Sequence, residues 1–184
     1  MLEKLGRVRL SEHFYLRQFL YSEIGAAFGI PNVPDHPDLA IETGTRLCQD
    51  VLEPLQRLVG PIVIRSGFRS ARLNAFGAKH RLKCAANVKN YARHIWDHPD
   101  ADGHKGAAAC IVAPRFNDLH SGISGKTALA EVIDARIDYH ALVFFTHNAF
   151  TIGWHERPVR SIRPSHLDPR QTSAQESVDD ASPP

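Results

Sequence analysis

Three short stretches of this chain carry side chains that could do chemistry together. They are SGFRS at 66–70, the stretch from His94 to Cys110, and the pair Trp154-His155. The chain also holds 11 histidines and 3 cysteines among its 184 residues. Imidazole is the commonest metal ligand and proton shuttle in proteins, and a thiolate is a metal ligand as well. These residue types therefore favour a metal site.

Each stretch also has an ordinary structural explanation. SGFRS would form a turn after a strand, with Gly67 supplying an unusual dihedral angle and Arg69 in solvent. A single histidine is more often a surface or core residue than a ligand. Cys110, among small residues of a strand, is usually a small buried hydrophobe. The order of the three stretches along the chain favours a shared site more than any one of them does.

The elements that must position these residues follow from the spacing of the apolar side chains. Ser11 is a suitable N-cap for a short helix over 11–23. Apolar residues recur at helical spacing from Pro37 to Val59, and Pro54 should kink or divide that helix. A later helix is expected over 126–139, and strands near 62–65, 107–113, 141–146 and 149–155. The pattern predicts an α+β fold in which a small antiparallel sheet packs against N-terminal helices.

Length and composition fit one domain. A chain of 184 residues that is 43% apolar can bury a core of its own. We expect 1–9 to be an N-terminal extension, 10–165 the domain and 166–184 a disordered tail, because the tail has few large apolar groups. Three cysteines cannot all pair within one chain, so reduced thiols are expected.

The charge pattern and hydropathy exclude several classes of protein. Lys and Arg number 22 against 20 for Asp and Glu, and a net charge of +2 argues against a nucleic-acid binder. No stretch approaches the roughly 18 apolar residues of a membrane span. No apolar run or cleavage site of a secretory signal follows Lys4 and Arg7. We therefore expect a soluble monomer made in the cytoplasm, which acts at the cell wall only if it is released.

Several motifs resemble those of the zinc-dependent D-alanyl-D-alanine carboxypeptidase-like peptidases, including their phage-encoded relatives. LSEHFYLRQF at 10–19 is similar to the family's opening LSEHF-x-L-x-E-F. LCQDVLEPLQ at 47–56 is similar to its helix LCxxVLEPLR, and SGFRSARLN at 66–74 resembles SGYRS-x-x-LN. The resemblance covers residues 10–163 and implies a DD-peptidase/hedgehog-like fold.

The resemblance also implies a zinc site. The family's motif S-x-H-x-x-G-x-A-x-D supplies one His and one Asp, and a later strand supplies a second His. GAAAC at 106–110 fits this motif only if Cys110 takes the aspartate position. The first ligand is then His94, with an inserted loop after it, or His104, which is one residue out of register. We prefer His94, so the expected Zn²⁺ ligands are His94, Cys110 and His155, with a fourth position open to water.

Two further residues have catalytic roles that the resemblance implies. Arg69 matches the family's arginine, and its planar guanidinium suits a substrate carboxylate or carbonyl group. Glu156 is the candidate general base because it follows His155 directly. Side chains alternate along a strand, however, which would point Glu156 away from that histidine. Its role could pass to another residue only if the fold brings one near: Asp97, Asp100 or His147.

The function implied by the resemblance is a zinc metallopeptidase, a hydrolase acting on peptidoglycan stem peptides as a D-Ala-D-Ala carboxypeptidase or endopeptidase. Its partner would be a peptidoglycan peptide. The first alternative is a metal-binding but inactive relative that serves as a cell-wall-binding or phage structural module. The second alternative is that no metal binds and the His and Cys residues are core or surface residues.

Deletion of residues 168–184 should leave the melting temperature unchanged within error. Ser, Gln, Asp and Pro cannot form a packed apolar face, so the tail adds no stabilising contact. Thermal unfolding of the full and shortened chains measures this directly. A large drop in melting temperature would mean that the domain extends further towards the C-terminus.

Overall fold

The computed structural model describes residues 2–120, 122–145 and 148–163. Within these residues the chain forms helices and one five-stranded sheet, which confirms the predicted α+β class. The expected tail at 166–184 lies outside them. Across the described part of the chain, no helix is long and apolar enough to cross a membrane.

Three short helices open the chain. They are α1 (Leu2–Gly6), α2 (Arg17–Leu20) and α3 (Glu23–Phe28). Helix α1 lies in the expected extension, yet its Leu5 packs in the same core cluster as the rest of the chain. Ser11 does not cap a helix as predicted. Its hydroxyl instead donates to Oε1 of Glu53 at 2.7 Å, and the amide of His13 donates to the same oxygen at 2.8 Å.

The long helix predicted from Pro37 to Val59 forms, but its middle is widened. It consists of α4 (Pro37–Arg46), a π-helical segment (Leu47–Leu52) and α5 (Glu53–Val59). In the π-helical segment the amide of Glu53 donates to the carbonyl of Cys48, five residues earlier. Pro54 has no amide hydrogen to continue the α-helical ladder, so the helix changes register immediately before it.

The five strands form one mixed sheet in the order β1-β2-β4-β3-β5. The strands are β1 (Val63–Ser66), β2 (Gly106–Val112), β3 (Ala141–Phe144), β4 (Ala149–His155) and β5 (Ser161–Arg163). The predicted antiparallel sheet omitted β5, which is parallel to β3. Both neighbours of β4 are already taken, so the chain turns back after β4 and pairs with the free edge of β3. That reversal makes β5 parallel to β3.

The remaining α-helices lie between consecutive strands along the chain. They are α6 (Ala71–Lys79), α7 (Pro114–Leu119) and α8 (Gly122–Arg136). Alternation along the strands divides the sheet into two faces. One face carries fully buried apolar residues such as Ala109, Ile111 and Ile152, which belong to the main core cluster. The other face carries Cys110 and His155, so the chemistry-bearing residues lie on the side away from that core.

Trp96 anchors the segment that leads into β2. Its ring is fully buried and packs against Phe19 and Phe68, with ring centroids 5.2 and 6.1 Å away. Its indole nitrogen donates to the carbonyl of Ala108 at 3.1 Å. An added Cβ at Gly44 would lie only 2.8 Å from the Trp96 ring. Helix α4 therefore needs a residue without a side chain where the indole lies.

Gly44→Ala should lower the free energy of unfolding by about 1 to 3 kcal/mol, as overpacking of a full core does. Helix propensity alone would favour alanine by about 1 kcal/mol, so a loss identifies the steric conflict. Urea denaturation measures the change. In a Trp96→Phe background the same substitution should cost less, because the smaller ring leaves room. Equal costs in both backgrounds would contradict the contact with Trp96.

Candidate functional site

The register of β2 against β4 determines where the predicted zinc ligands lie. Cys110 pairs with Thr151, whereas His155 pairs with Gly106 at the other end of the strands. Four residues along a strand separate the two side chains by about 13 Å. Donor atoms that share one zinc ion lie within about 4 Å of one another. The structure therefore does not bring Cys110 and His155 together, and the ligand set His94, Cys110 and His155 stays a prediction.

His94 contacts the SGFRS turn. Its Nδ1 lies 3.1 Å from the carbonyl oxygen of Gly67, to which it donates, and its backbone carbonyl accepts from the amide of Arg69 at 2.7 Å. His94 thus stabilises the SGFRS turn through two hydrogen bonds. Among the described residues, no three donor atoms that all lie within 4.8 Å of one another include one from His94, Cys110 or His155.

The surroundings of Cys110 favour the protonated form of its thiol. Burial raises its pKa, although the Thr151 hydroxyl and the Arg65 cation oppose the shift. A protonated thiol is a poor ligand and a poor nucleophile at neutral pH. Cys110 lines a cleft of about 620 Å³ together with Arg65, Arg69 and Lys83. Histidine is absent from the walls of this cleft among the described residues.

Arg69 points towards the cleft that contains Cys110, but its guanidinium is already engaged. Nη1 donates to Oδ1 of Asn74 at 3.0 Å and contacts the sulfur of Cys84 at 3.2 Å. The side-chain Nδ2 of Asn74 in turn donates to Oδ1 of Asn87 at 2.7 Å. The side-chain Nδ2 of Asn90 donates to Oδ1 of Asn74 at 3.0 Å. Arg69 therefore helps to fasten the segment after α6, and its predicted contact with substrate is untested.

Glu156 turns away from His155, as strand alternation predicts. Its Oε2 accepts from the backbone amide of Lys105 at 2.7 Å, and its own amide donates to the carbonyl of Lys105 at 3.0 Å. The side chain is exposed and does not line the cleft that contains His155. Glu156 thus fixes the start of β2 beside the end of β4 and does not face a shared site.

His155 lies in a different cleft, which we call the histidine cleft and which has a volume of about 790 Å³. Its Nε2 is 3.1 Å from Oδ2 of Asp100. The His140 ring stacks on it with centroids 4.4 Å apart, and the His104 ring stands edge-on at 6.1 Å. Of the two candidates for the first ligand, His104 is therefore the one that lies beside His155.

The loop after His94 forms a wall of the histidine cleft. Its conformation depends on Asp100, whose Oδ1 accepts from the amides of Asp102 at 3.0 Å and His104 at 2.8 Å. The other oxygen remains directed at His155. Burial opposes ionisation of Asp100, but the two amides and the His155 ring overcome it and lower its pKa. Asp100 is thus a carboxylate at neutral pH.

Cationic side chains also line the histidine cleft. Arg93, Arg157 and Lys89 stand on its walls. Burial lowers the pKa of His140 to about 4, and repulsion from His155 and Arg93 adds to the shift. A neutral His140 leaves the arginines and Lys89 as the positive charges of these walls, opposed by Asp100 and Asp102. The cleft can therefore accept an anionic group beside the Asp100–His155 pair.

Two clusters of described residues bring three potential metal donors together. They are Glu12, His13 and Glu53, and Asp35, Asp97 and His98. The structure thus contains acidic and histidine groups that could hold a metal ion, but at positions other than those predicted. The sequence offered one signal for the second cluster, the run WDHPD at 96–100, which concentrates carboxylates and imidazole beside a buried tryptophan.

Sequence reasoning missed His140, and it considered Asp100 only as a substitute for the general base. His147, another such substitute, lies outside the described residues. Two hydrogen bonds to Asp100 close its loop into a turn, and the other oxygen of Asp100 lies 3.1 Å from His155. The spacing DADGH at 100–104 carried a signal, because Asp commonly accepts from amides two residues ahead in turns. His140 precedes β3, and its amide donates to the carbonyl of Gly153, which places it beside the end of β4.

Comparison with known proteins adds no relative. No family model matches the chain, and neither a curated protein nor a solved structure matches it.

His94 should make stability depend on pH. Burial, assisted by the cations Arg69 and Arg93, lowers its pKa to about 4, although the bond to Gly67 opposes the shift. The unfolded chain then binds more protons between pH 4 and 6.5, so stability rises with pH through that window and is complete above it. The effect is at most about 3 kcal/mol, at about 1.4 kcal/mol per pKa unit.

The measurement is urea denaturation at pH 4.5 and pH 7 of the parent chain and of His94→Gln. Glutamine can still donate to Gly67 but does not titrate, so the variant should lose much of the difference between the two pH values. An unchanged pH difference in His94→Gln would show that other groups cause it.

Proposed function

We propose that this chain is a zinc-dependent hydrolase of the D-Ala-D-Ala carboxypeptidase or endopeptidase type, acting on peptidoglycan stem peptides in the histidine cleft. The observation that carries the proposal is the contact of 3.1 Å between Asp100 and His155, with His104 beside them. Two imidazoles and a carboxylate are the ligand types that the resemblance implies for this family. Here His155 is the ligand that the motif alignment selected, His104 is its alternative first ligand, and Asp100 would supply the carboxylate in place of Cys110.

Asp100 and His155 are already in contact, but the donor atoms of Asp100, His104 and His155 do not all lie within 4.8 Å of one another, so a shared zinc would require His104 to turn towards the pair. Two imidazoles on one tetrahedral zinc have ring centres about 5 Å apart, given bonds of about 2.0 Å. The His104 and His155 rings are 6.1 Å apart and nearly perpendicular. Asp100 is ionised, and the Nδ1 of His155 lies 3.0 Å from the amide and the carbonyl of Arg157. These contacts orient the His155 ring, and both tautomers are satisfied there, because Nδ1 can accept from the amide or donate to the carbonyl.

The polar groups of the cleft suit a peptide that ends in a carboxylate. A bound zinc ion would polarise a peptide carbonyl and lower the pKa of water. Arg93 and Arg157 can pair with a carboxylate through two parallel hydrogen bonds. Asp102 lines the same cleft and is exposed, so it can accept a proton from water. Asp102 replaces Glu156 in this proposal, because Glu156 is bound to the Lys105 amide.

The second candidate function is an inactive relative that binds wall peptides or serves as a phage structural module. The observation that favours it is the pairing of Cys110 with Thr151 on the open face of the sheet. The family motif places its aspartate at the position of Cys110, and the residue opposite it is a threonine. A site that lies four residues further along the strands can keep its peptide-binding cations without catalysing hydrolysis.

The proposal predicts one zinc ion per chain in the histidine cleft and release of D-alanine from a stem peptide. Asp100→Asn and His155→Ala should each reduce zinc affinity and turnover by at least about 100-fold, because each removes a ligand or its charge. Cys110→Ser is the matched control, and it should change neither. Zinc is measured by mass spectrometry of the purified chain after dialysis, and turnover by chromatography of the digested peptide.

Three outcomes separate the functions. Loss of zinc in Cys110→Ser would restore the original ligand set and contradict the histidine cleft. Zinc bound by the parent chain without any hydrolysis would favour the inactive relative. Hydrolysis that persists in His155→Ala would contradict a catalytic centre in this cleft.

A further inference from the structure

The cleft of about 620 Å³ beside β1, which we call the cationic cleft, carries more positive than negative charge. Arg65, Arg69 and Lys83 line it, and Glu23 is its only acidic side chain among the described residues. Arg65 and Lys83 are exposed, and neither forms an ion pair with a carboxylate in the described part of the chain. Apolar side chains such as that of Phe145, which is 45% exposed, stand beside these cations. The cationic cleft therefore suits a ligand that combines carboxylates with an apolar group.

Two irregularities of the backbone bring cations to this cleft. Ile64 and Ser66 pair with consecutive residues of β2, so Arg65 is an additional residue at a β-bulge of β1. A β-bulge turns a side chain out of the regular alternation of its strand. Lys83 has a φ of 55°, in the left-handed region that residues with a side chain rarely adopt. Deviations of both kinds are concentrated at binding and active sites.

The described part of the chain ends close to the cationic cleft. Arg163 on β5 pairs with Val143 on β3, which in turn pairs with Thr151 on β4. Thr151 pairs with Cys110, which lines the cleft. Arg163 and Cys110 are thus three strand spacings apart in one row of the sheet, or about 14 Å. Because β5 is parallel to β3, it points towards Phe144, which lines the same cleft.

The sequence that follows Arg163 is acidic. Residues 164–184 contain four carboxylates and one arginine, and three of these carboxylates lie in ESVDD at 176–180. This pentapeptide places Val178 between its acidic residues, so it combines carboxylates with an apolar group. Glu176 follows Arg163 by 13 residues. A random coil of that length spans about 20 Å, which is enough to reach the cationic cleft.

We propose that ESVDD at 176–180 docks in the cationic cleft of its own chain. Its carboxylates pair with Arg65 and Lys83, and Val178 contacts the apolar wall at Phe145. Exposed ion pairs are individually weak, so the dissociation constant is about 1 mM. The effective concentration of a segment on a short tether is also about 1 mM, so the cleft is occupied about half of the time. The segment thus competes with any anionic ligand of this cleft.

This docking is independent of the function proposed for the histidine cleft, since the two clefts share no lining residue in the described part of the chain. Half occupancy raises the melting temperature of a chain of this size by only about 1 °C. Such a shift is within the error of a thermal unfolding experiment on a chain that lacks 168–184. The contact is therefore detected chemically.

Carbodiimide coupling of the full chain tests the contact, because it joins an amine to a carboxylate only where the two groups meet. The expected product links Lys83 to a carboxylate of ESVDD, and mass spectrometry of the digested chain identifies it. Lys89 is the matched control within the same molecule, since it is also exposed but lines the histidine cleft. Its coupling to ESVDD should be at least about 5-fold lower, because the tethered segment collects in the cleft that binds it.

Two single substitutions test the role of charge. Arg65→Gln should lower the coupling of Lys83 by about 2-fold, because it removes one exposed ion pair. Arg57→Gln is the matched control, since Arg57 is exposed and lines neither cleft. It should leave the coupling of Lys83 unchanged.

The thiol of Cys110 supplies a second measurement, because it lies in the wall of the cationic cleft. In the full chain with Glu176→Gln, Asp179→Asn and Asp180→Asn, alkylation of Cys110 by neutral iodoacetamide should be about 2-fold faster, because a half-occupied cleft becomes open. The parent chain in about 0.5 M salt should react like this variant, since salt screens exposed charges.

Three results would overturn the proposal. The first is coupling of ESVDD to Lys83 and Lys89 in equal amounts, or to neither. The second is an equal alkylation rate of Cys110 in the parent chain and in the chain with three neutralised carboxylates. The third comes from a mixture of ¹⁵N-labelled and unlabelled chains: a Lys83 link that joins chains of different label would show that the cleft binds the segment of a second copy.

Discussion

The pairing of β2 with β4 is the constraint on which both candidate sites depend. Seven consecutive residue pairs join the two strands, from Gly106 with His155 to Val112 with Ala149. This register places Cys110 against Thr151 and keeps it about 13 Å from His155, although both side chains share one face of the sheet. A slip of the register by one residue would exchange the two faces, and the buried side chains of the core cluster oppose it. The open face therefore carries two separate clefts.

A long segment between α6 and β2 makes those clefts. Trp96 fixes its middle in the core, and Asn74 fixes its start by bonding to Asn87 and Asn90. The end of the segment is fixed by the amides that bond to Asp100. A buried polar network of this kind is stable only when its members are satisfied, and no buried side-chain nitrogen or oxygen lacks a partner among the described residues. The segment consequently supplies rigid walls on both sides of His94.

Electrostatics distinguishes the two clefts. In the histidine cleft an ionised Asp100 meets His155, and Arg93, Arg157 and Lys89 stand around them. In the other cleft Cys110 remains a protonated thiol among cations, because burial raises its pKa. Only the first cleft combines a carboxylate with imidazoles, so it is the better location for metal-assisted hydrolysis. The second retains cations that suit an anionic ligand and one carboxylate, Glu23, but no histidine lines it among the described residues.

The sequence by itself determined the class of fold and most of its elements, because apolar periodicity reports which face of each element is buried. It placed four of the five strands and the long helix, and strand alternation correctly turned Glu156 away from His155. Only the tertiary structure decided which histidines and carboxylates meet. Strand register and the path of a loop are set by contacts distant in sequence, such as Trp96 with Gly44 and Asp100 with His155. Motif spacing carries no record of these contacts, so it selected His94 and Cys110, whereas the chain brings Asp100 and His104 to His155.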